Sequence, residues 1–493
     1  MLHLALERAE QNRFNAAIID TTGLHTYGDL LDDSARIAAA LLHGRAHLKG
    51  ERVGFLISPG YPWVSTQWGI WRAGGIAVPL PMNSARPELE YILHDTQATT
   101  LVADEANAAH IEGLAPHILR YHQIPQGVGT LPTLEAHDRA MILYTSGTTS
   151  KPKGVVTTHG NIAAQVTSLI TAWEWTAEDR IVLCLPLHHI HGIINIVCCA
   201  LWAGATCNIL PRFNADTIWD LMGSDALTLL MAVPTVYVKL TATWESYPEA
   251  RRAELTAAAR KLRLMVCGSA ALPISTLQRW RELTGHTLLE RYGMTEIGMA
   301  LSNPLHGDRI PGSVGRPLPH VQVQLTNEDG THAAPGTPGE IEVRGPTVFL
   351  EYWRRPEATH SAFRNGWFRT GDTAVMDDGI YRILGRTSID ILKSGGHKIS
   401  ALEIEEVLRK HPAISECAVV GLPDDEWGER VAALLVLHAT HSLDLETLRI
   451  WARDHLANHK LPSRLLVVEA LPRNAMGKVV KPNSIPLFQA KSK

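Results

Sequence analysis

The chain is predicted to be an α/β protein with a large N-terminal domain and a small α+β domain at the C-terminus. Three observations predict this. Strand-like runs alternate with helix-like stretches along the first half, which is typical of helices packed on mostly parallel sheets. The pattern becomes β-rich near residue 317 and changes again after Gly385-Arg386. A chain of 493 residues that is 45% hydrophobic can bury a large core.

The alternating elements of the N-terminal domain come first. Helix-like stretches cover 27–42 and 62–73, and the strand-like runs are 53–57, 76–80, 100–102, 181–185, 227–232 and 262–266. The apolar segment 192–210 is long enough to suggest a membrane-spanning helix. Because Asn195 and Asn208 lie in it and Gly204 interrupts it, we expect a buried helix followed by a strand.

The pattern in the later part of the chain predicts a β-rich subdomain and a separate C-terminal domain. Short β-like pieces broken by Pro335-Gly336 and Pro338-Gly339 indicate a β-rich subdomain over about 317–385, within an N-terminal domain of 1–385. A glycine turn, an acidic helix at 401–410 and strands near 418–421 and 431–437 then predict a separate domain over 386–493. We expect a short hinge near Ser388.

Composition limits the classes of function. The net charge of −4 and the pI near 6.7 argue against nucleic acid or an anionic membrane as a partner. The six cysteines lie mostly in apolar runs without metal-ligand spacing, as reduced core cysteines do. The N-terminal segment has an early acid and no basic region or cleavage site, and the last three residues are not a peroxisomal signal. A cytoplasmic location without a membrane span is predicted.

Residues 144–154, reading Tyr-Thr-Ser-Gly-Thr-Thr-Ser-Lys-Pro-Lys-Gly, are the most informative stretch. Apolar and β-branched residues flank it, so we expect a hairpin tip that offers N–H and O–H donors to a polyphosphate. A Ser/Thr/Gly run can also be a linker, but the flanking strands and paired lysines disfavour that reading. The Gly-x-x-x-x-Gly-Lys-Ser/Thr spacing of helix-opening phosphate loops is absent. The predicted phosphate-binding residues are Thr145, Ser146, Gly147, Thr148, Thr149 and Lys153.

This loop resembles the phosphate-binding signature of the adenylate-forming superfamily, which includes acyl-CoA synthetases, peptide-synthetase adenylation domains and luciferases. The segment 290–296, Glu-Arg-Tyr-Gly-Met-Thr-Glu, is similar to the family's aromatic-Gly-x-Thr-Glu element. The alternative for this segment is a helix start capped by Thr295. The chain departs from the family at Ser150, where relatives usually carry glycine.

The resemblance implies a set of site residues. ATP would contact Glu290, Arg291, Tyr292, Gly293 and the segment Ser269, Ala270 and Ala271, while Thr295 would meet the α-phosphate and Glu296, with Thr148, would hold Mg²⁺. Asp372 and Arg386 would contact the ribose, and Lys478 would be the adenylation lysine. Lys393, Gly395 and Gly396 resemble the loop that replaces Lys478 when the small domain rotates, and they would then lie near coenzyme A.

The histidine-rich segment Leu187-His-His-Ile-His191 invites a zinc interpretation, which fails because no further cluster of metal-site spacing is evident. The segment resembles the family's Pro-x-x-His element, in which His189 would be a gate between the acyl pocket and the thiol tunnel. A plain core or surface role is equally compatible with His188 and His191.

Arg291 bears on the acid that is activated. A cation facing an alkyl chain would be costly to desolvate, so an arginine here favours a substrate with a second carboxylate. Malonyl-CoA and methylmalonyl-CoA synthetases resemble the chain at this segment and at 302–304 and 311–315, and they imply a second cation, best matched by Lys239. His189, Ser269 and Met299 complete the predicted substrate pocket. The alternative is that Arg291 turns outward and pairs with Glu290 or a neighbouring acid.

The predicted function is that of an ATP- and Mg²⁺-dependent acid–CoA ligase. It would form an acyl-AMP and pyrophosphate, and the thiol of coenzyme A would then displace AMP, with malonate or methylmalonate as the favoured acid. One alternative is an adenylation enzyme that loads an acyl carrier protein. Others are a synthetase for a short-chain or aryl monocarboxylic acid and a non-catalytic adenylate-binding protein.

Overall fold

The computed structural model describes residues 2–127, 129–145, 152–473 and 479–490. Ser146, Gly147, Thr148, Thr149 and Lys478, all predicted site residues, lie outside the described residues, as does Ser150. The chain divides into two compact units, Met1–Val323 with Val343–Phe368, and Gln324–Glu342 with Arg369–Lys493. This division differs from the predicted boundary between residues 385 and 386. That boundary and the hinge at Ser388 stay predictions.

The helices begin and end close to the predicted positions. Helix α2 covers the predicted stretch 27–42, because Thr26 caps it: the Thr26 side chain accepts from the Asp29 amide while the Asp29 side chain accepts from the Thr26 amide. The α-helices are α1 Leu2–Gln11, α2 Tyr27–Leu42, α3 Tyr61–Arg72, α4 Arg86–Thr96, α5 Glu105–Ala108, α6 His159–Trp173, α7 Cys199–Ala203, α8 Ala215–Gly223, α9 Pro234–Ser246, α10 Glu249–Ala259, α11 Ile274–Thr284, α12 Pro356–Ser361, α13 Ala401–Leu408, α14 Leu445–Ala452 and α15 Ile485–Ala490.

The strands include all six predicted runs of the N-terminal domain, within two residues at each end. In chain order they are β1 Ala16–Asp20, β2 Gly23–Thr26, β3 Arg52–Leu56, β4 Ile76–Pro79, β5 Thr100–Ala103, β6 His117–Arg120, β7 Arg139–Thr145, β8 Lys153–Thr158, β9 Arg180–Leu183, β10 Thr206–Ile209, β11 Leu229–Ala232, β12 Leu264–Cys267, β13 Leu289–Met294, β14 Gly298–Ser302, β15 Arg316–Pro317, β16 Gln322–Thr326, β17 Gly339–Arg344, β18 Glu351–Tyr352, β19 Phe363–Arg364, β20 Trp367–Asp377, β21 Ile380–Arg386, β22 Ile391–Ser394, β23 His397–Ser400, β24 Ile414–Asp424, β25 Gly428–Leu437 and β26 Arg464–Val467.

The first unit contains a nine-stranded sheet in the order β15-β14-β13-β12-β11-β9-β10-β1-β2. Its six central strands, from β13 to β1, are parallel. Every residue of β11 and β12 is buried, as expected for parallel strands that are covered on both faces. Ligands of open parallel sheets bind beyond the carboxyl ends of the strands. The predicted segments after β12 and β13 both lie at such ends.

A seven-stranded sheet in the same unit has the order β18-β8-β7-β4-β3-β5-β6. Strands β7 and β8 are antiparallel, with Thr145 opposite Lys153, so the hairpin predicted to carry the phosphate-binding tip is confirmed. Strand β18 pairs with the other side of β8. The two strands that flank the tip are therefore held within a larger sheet.

The segment 192–210 is a buried helical stretch followed by a strand, as predicted. It forms a π-helix, His191–Cys198, then α7 and then β10, and every residue of the π-helix is buried. No helix of the described residues is long and apolar enough to cross a membrane. The six cysteines are free and buried, and burial raises the pKa of the Cys184 thiol to about 12.

The second unit is α+β, which confirms the predicted class of the C-terminal part. Its sheet has the order β23-β22-β25-β24, with β26 also on β25, and α13 and α14 contribute side chains to its core. A further five-stranded sheet, β16-β17-β20-β19 with β21 on β20, corresponds to the predicted β-rich region. Along the chain, β16, β17 and β20 each cross from one unit into the other.

Candidate active site

The segment 290–296 is a β-hairpin, so the alternative of a helix start capped by Thr295 is wrong. Strand β13 ends at Met294, residues 295–297 form a turn, and β14 runs back with Met299 opposite Gly293. A Cβ atom on Gly293 would lie 2.1 Å from the carbonyl oxygen of Gly298, so only glycine fits there. Tyr292, Gly293 and Thr295 are partly exposed and therefore accessible to a ligand.

Glu296, the middle residue of this turn, is almost fully buried. Its Oε1 accepts a hydrogen bond of 2.9 Å from the Tyr352 hydroxyl, and its carbonyl oxygen accepts one of 2.7 Å from the Phe349 amide. Mg²⁺ is usually held by one or two carboxylates together with phosphate oxygens and water. A single oriented carboxylate fits that pattern, and no group of three or more His, Cys, Asp or Glu in the described part of the chain could hold a metal by itself.

Arg291 is a buried cation without a carboxylate partner in the described ranges. Arg291 is 3% exposed. Its Nη2 lies 3.5 Å from Ser269 Oγ, and its Nε has no hydrogen-bond partner among the described residues. Burial lowers the pKa of Arg291 from 12.5 to about 10. The alternative in which Arg291 turns outward is therefore wrong. Glu290 is also buried, and its Oε1 accepts from the Gly312 amide.

His191 lies beside Arg291, which sequence reasoning missed. Its Nδ1 is 3.2 Å from Ser269 Oγ, and its buried Nε2 has no partner among the residues that the structure describes. Burial, and after it the charge of Arg291, holds the pKa of His191 well below 6.5. His191 is therefore neutral at pH 7. The only sequence signal was the second histidine of the Pro-x-x-His-x-His run, placed two residues after His189.

The hydroxyl of Ser269 lies near both Arg291 and His191. Ser269 is exposed, as are Ala270 and Ala271, and its φ of 69° is uncommon for a residue other than glycine. The preceding Gly268 is buried, and a Cβ atom there would lie 2.6–2.7 Å from three atoms of the Arg291 guanidinium. The absence of a side chain at 268 therefore makes room for Arg291.

The other predicted substrate residues are placed as follows. Met299 is 2% exposed in β14. The rings of His188 and His189 are 4.2 Å apart, and burial lowers the pKa of His188 to about 3. Lys239 is exposed on α9, with its Nζ 5.6 Å from the centroid of the Phe213 ring. The role of Lys239 toward the acid stays a prediction.

In the second unit the two predicted ribose contacts lie together. Asp372 and Arg386 face each other across β20 and β21, and the Arg386 Nε donates to Asp372 Oδ1 at 3.0 Å. Lys393, Gly395 and Gly396 belong to the β22–β23 hairpin, where both glycines have positive φ. Their roles toward ATP and coenzyme A stay predictions.

The family of the chain follows from comparison with known proteins. Residues 6–353 match the family described as AMP-binding enzyme, and residues 403–478 match the AMP-binding enzyme C-terminal domain. The chain therefore belongs to the AMP-binding enzyme family. This confirms the resemblance to adenylate-forming enzymes that the motifs indicated.

Similar proteins cover almost the whole chain. A mitochondrial malonate–CoA ligase of Bos taurus is 46% identical, over 94% of this chain and 87% of its own. A malonate–CoA ligase of Arabidopsis thaliana is 40% identical, over 93% and 83%. The crystal structure of ATP-bound MatB from Rhodopseudomonas palustris has a TM-score of 0.90 and 33% identity, and 99% of each chain is covered. The mitochondrial label belongs to the bovine protein, and a cytoplasmic location of this chain stays a prediction.

Proposed function

We propose that the protein is an ATP-dependent acid–CoA ligase whose preferred acid is malonate or methylmalonate. The observation that carries this proposal is Arg291, a buried cation that lies 3.5 Å from the hydroxyl of the exposed residue Ser269 and has no carboxylate partner among the described residues. A dicarboxylic acid would supply the missing negative charge. The malonate–CoA ligases similar to this chain support the same assignment.

The first half-reaction would join one carboxylate of the acid to ATP. A carboxylate oxygen attacks the α-phosphorus, the bond to the β-phosphate oxygen breaks, and pyrophosphate leaves. Lys153 and the predicted Lys478 add positive charge near the phosphates. Glu296 would hold Mg²⁺, which neutralises phosphate charge when it is bound. Asp372 would accept hydrogen bonds from the ribose hydroxyls.

The second carboxylate of malonate would bind at Arg291. The guanidinium supplies charge and donors, and with Nδ1 accepting from the Ser269 hydroxyl, the neutral His191 would carry its proton on Nε2 and donate it in a second hydrogen bond. Because the donors are fixed and buried, a monocarboxylic acid would leave Arg291 without a partner. In the second half-reaction the thiol sulfur of coenzyme A, having lost its proton, attacks the acyl carbonyl and AMP leaves.

The test is AMP formation by the purified protein with ATP, Mg²⁺ and coenzyme A, measured with acetate, malonate, methylmalonate, succinate and benzoate. We expect malonate or methylmalonate to give the highest kcat/KM, without any carrier protein. Preference for acetate or benzoate would contradict the dicarboxylate assignment. AMP release that requires a carrier protein would identify the alternative thiol acceptor.

A further inference from the structure

We infer that Tyr352 is a positioning residue that holds the metal-binding carboxylate Glu296 and the phosphate-loop lysine Lys153 in a fixed relation. The inference rests on the proposed function, since it concerns the same ATP site. Tyr352 belongs to none of the motifs that predicted the site. It lies far from both residues in sequence, and the fold brings all three together in the first unit.

The side chain of Tyr352 contacts both residues with different parts. Its hydroxyl donates to Glu296 Oε1 at 2.9 Å, and the two residues are 8% and 5% exposed. A hydrogen bond to an ionised, buried carboxylate is among the stronger kinds in proteins. The ring centroid of Tyr352 lies 4.9 Å from Lys153 Nζ, a cation–π distance. One side chain therefore orients an anion and a cation that both act on ATP.

The backbone around Tyr352 joins the same two motifs. In the register of β18 and β8, Tyr352 is opposite Val155, two residues after Lys153. The Trp353 amide donates to the Gly154 carbonyl at 2.7 Å, and the Phe349 amide donates to the Glu296 carbonyl at 2.7 Å. The segment 349–353 therefore connects the β7–β8 hairpin to the turn that carries Glu296 through backbone hydrogen bonds.

Packing leaves the Tyr352 ring little freedom to move. The ring of Phe349 meets it edge to face, with centroids 4.8 Å apart. A hydroxyl on a fixed ring occupies one acceptor position of Oε1 and limits rotation of the Glu296 carboxylate. Outer groups that orient a metal ligand in this way typically change metal affinity about 10- to 100-fold when removed.

The test is Tyr352→Phe, which removes the hydroxyl and keeps the ring over Lys153. We expect the Mg²⁺ concentration for half-maximal AMP formation to rise about 10- to 100-fold. Calorimetry should show the same loss in affinity for Mg²⁺-ATP and little change for ATP with EDTA. The matched control is Tyr247→Phe. It also removes a tyrosine hydroxyl that donates to a carboxylate, since the Tyr247 hydroxyl lies 2.5 Å from Asp216 Oδ1, but this pair is exposed. It should leave Mg²⁺ dependence unchanged.

A double-mutant cycle with Glu296→Gln separates positioning from a general effect on folding. If Tyr352 acts through Glu296, adding Tyr352→Phe to Glu296→Gln should not weaken Mg²⁺-ATP binding further. An equal loss in both backgrounds would overturn the inference, and so would wild-type Mg²⁺ dependence in Tyr352→Phe. Because Mg²⁺-ATP binding is measured directly, failure of the wild-type protein to form AMP from any acid would count against the proposed ligase activity alone.

Discussion

Replacing Arg291 by methionine should have opposite effects on substrate use and on stability. Methionine keeps much of the side-chain volume and removes the charge. We expect Arg291→Met to lose activity with malonate, to retain adenylate formation with a monocarboxylic acid, and to resist unfolding better than the wild-type protein. The combination is informative because a mutation that merely damaged the fold would lower both activity and stability.

The magnitudes follow from the environment of the guanidinium. A charge-assisted contact with the second carboxylate contributes about 1.5–3 kcal/mol, so kcat/KM for malonate should fall about 10- to 150-fold. In the free protein the lowering of the Arg291 pKa from 12.5 to about 10 corresponds to a burial cost of about 3 kcal/mol. Removing an uncompensated buried charge should raise the free energy of unfolding by about 1–3 kcal/mol.

The assays are steady-state kinetics with malonate and acetate, and urea unfolding with and without malonate. Arg309→Met is the control, because Arg309 is a partly buried arginine whose guanidinium donates to the carbonyls of Pro304, Thr287 and Leu305. It should be less stable and keep the wild-type ratio of malonate to acetate activity. A fall of less than about threefold in malonate kcat/KM for Arg291→Met would refute the reasoning.

Three further predictions concern other parts of the molecule. Gly268→Ala should displace the Arg291 guanidinium, since the new Cβ would lie within 2.7 Å of it, and should lower malonate kcat/KM about 10- to 100-fold while ATP affinity is kept. Lys481→Met should destabilise the second unit by about 3 kcal/mol in chemical denaturation, because it removes the buried cation that lies 2.5 Å from Asp390 and 2.7 Å from Glu405 and leaves Glu405 with Arg409 as its remaining ion-pair partner. Burial lowers the pKa of His159 to about 4. The unfolded chain therefore binds this proton at a higher pH than the folded chain does, and the free energy of unfolding should fall as the pH drops below 6.5. The loss should reach about 3 kcal/mol near pH 4. Urea midpoints measured across this range should fall less in His159→Gln than in the wild-type protein.

The first two of these predictions have control variants within the chain. Gly127→Ala adds a Cβ with nothing within 4 Å, and it should not change substrate preference. Lys460→Met breaks a more exposed ion pair with Glu403 and should cost less than about 1 kcal/mol. A loss in Lys460→Met as large as that in Lys481→Met would contradict the role of burial. For His159, equal pH slopes in the variant and the wild-type protein would show that its protonation is not linked to unfolding.

Local patterns in the sequence were sufficient for much of the fold. Helix α2 has the bounds of the predicted helix-like stretch 27–42, and the structure shows that a cap at Thr26 fixes its beginning. The β7–β8 hairpin followed from two apolar runs around a polar tip. The π-helix at His191–Cys198 was not predicted as such, because a continuous apolar run carries no period that distinguishes one helix type from another.

The candidate site was predictable where one motif supplies its residues and unpredictable where the contacts are non-local. Arg291 and Glu296 could be named from a single segment. The contact of His191 with Ser269, and that of Tyr352 with Glu296, depend on how distant strands pair. The helix alternative for Thr295 failed because strand pairing of β13 with β14 outweighs a local capping preference.

The π-helix that begins at His191 makes the acid pocket sensitive to chain length as well as to side-chain identity. A π-helical turn holds an extra residue compared with an ordinary α-helical turn. Because the segment already holds such an extra residue, deleting one residue within 192–198 would let it relax into α-helix with the flanking residues close to their present orientation, whereas inserting one more would rotate the residues on one side of the insertion by about 100° relative to those on the other. After such an insertion His191 would leave Ser269 even though no pocket residue had been replaced. A single-codon insertion in an apolar helix would then be enough to alter acid preference.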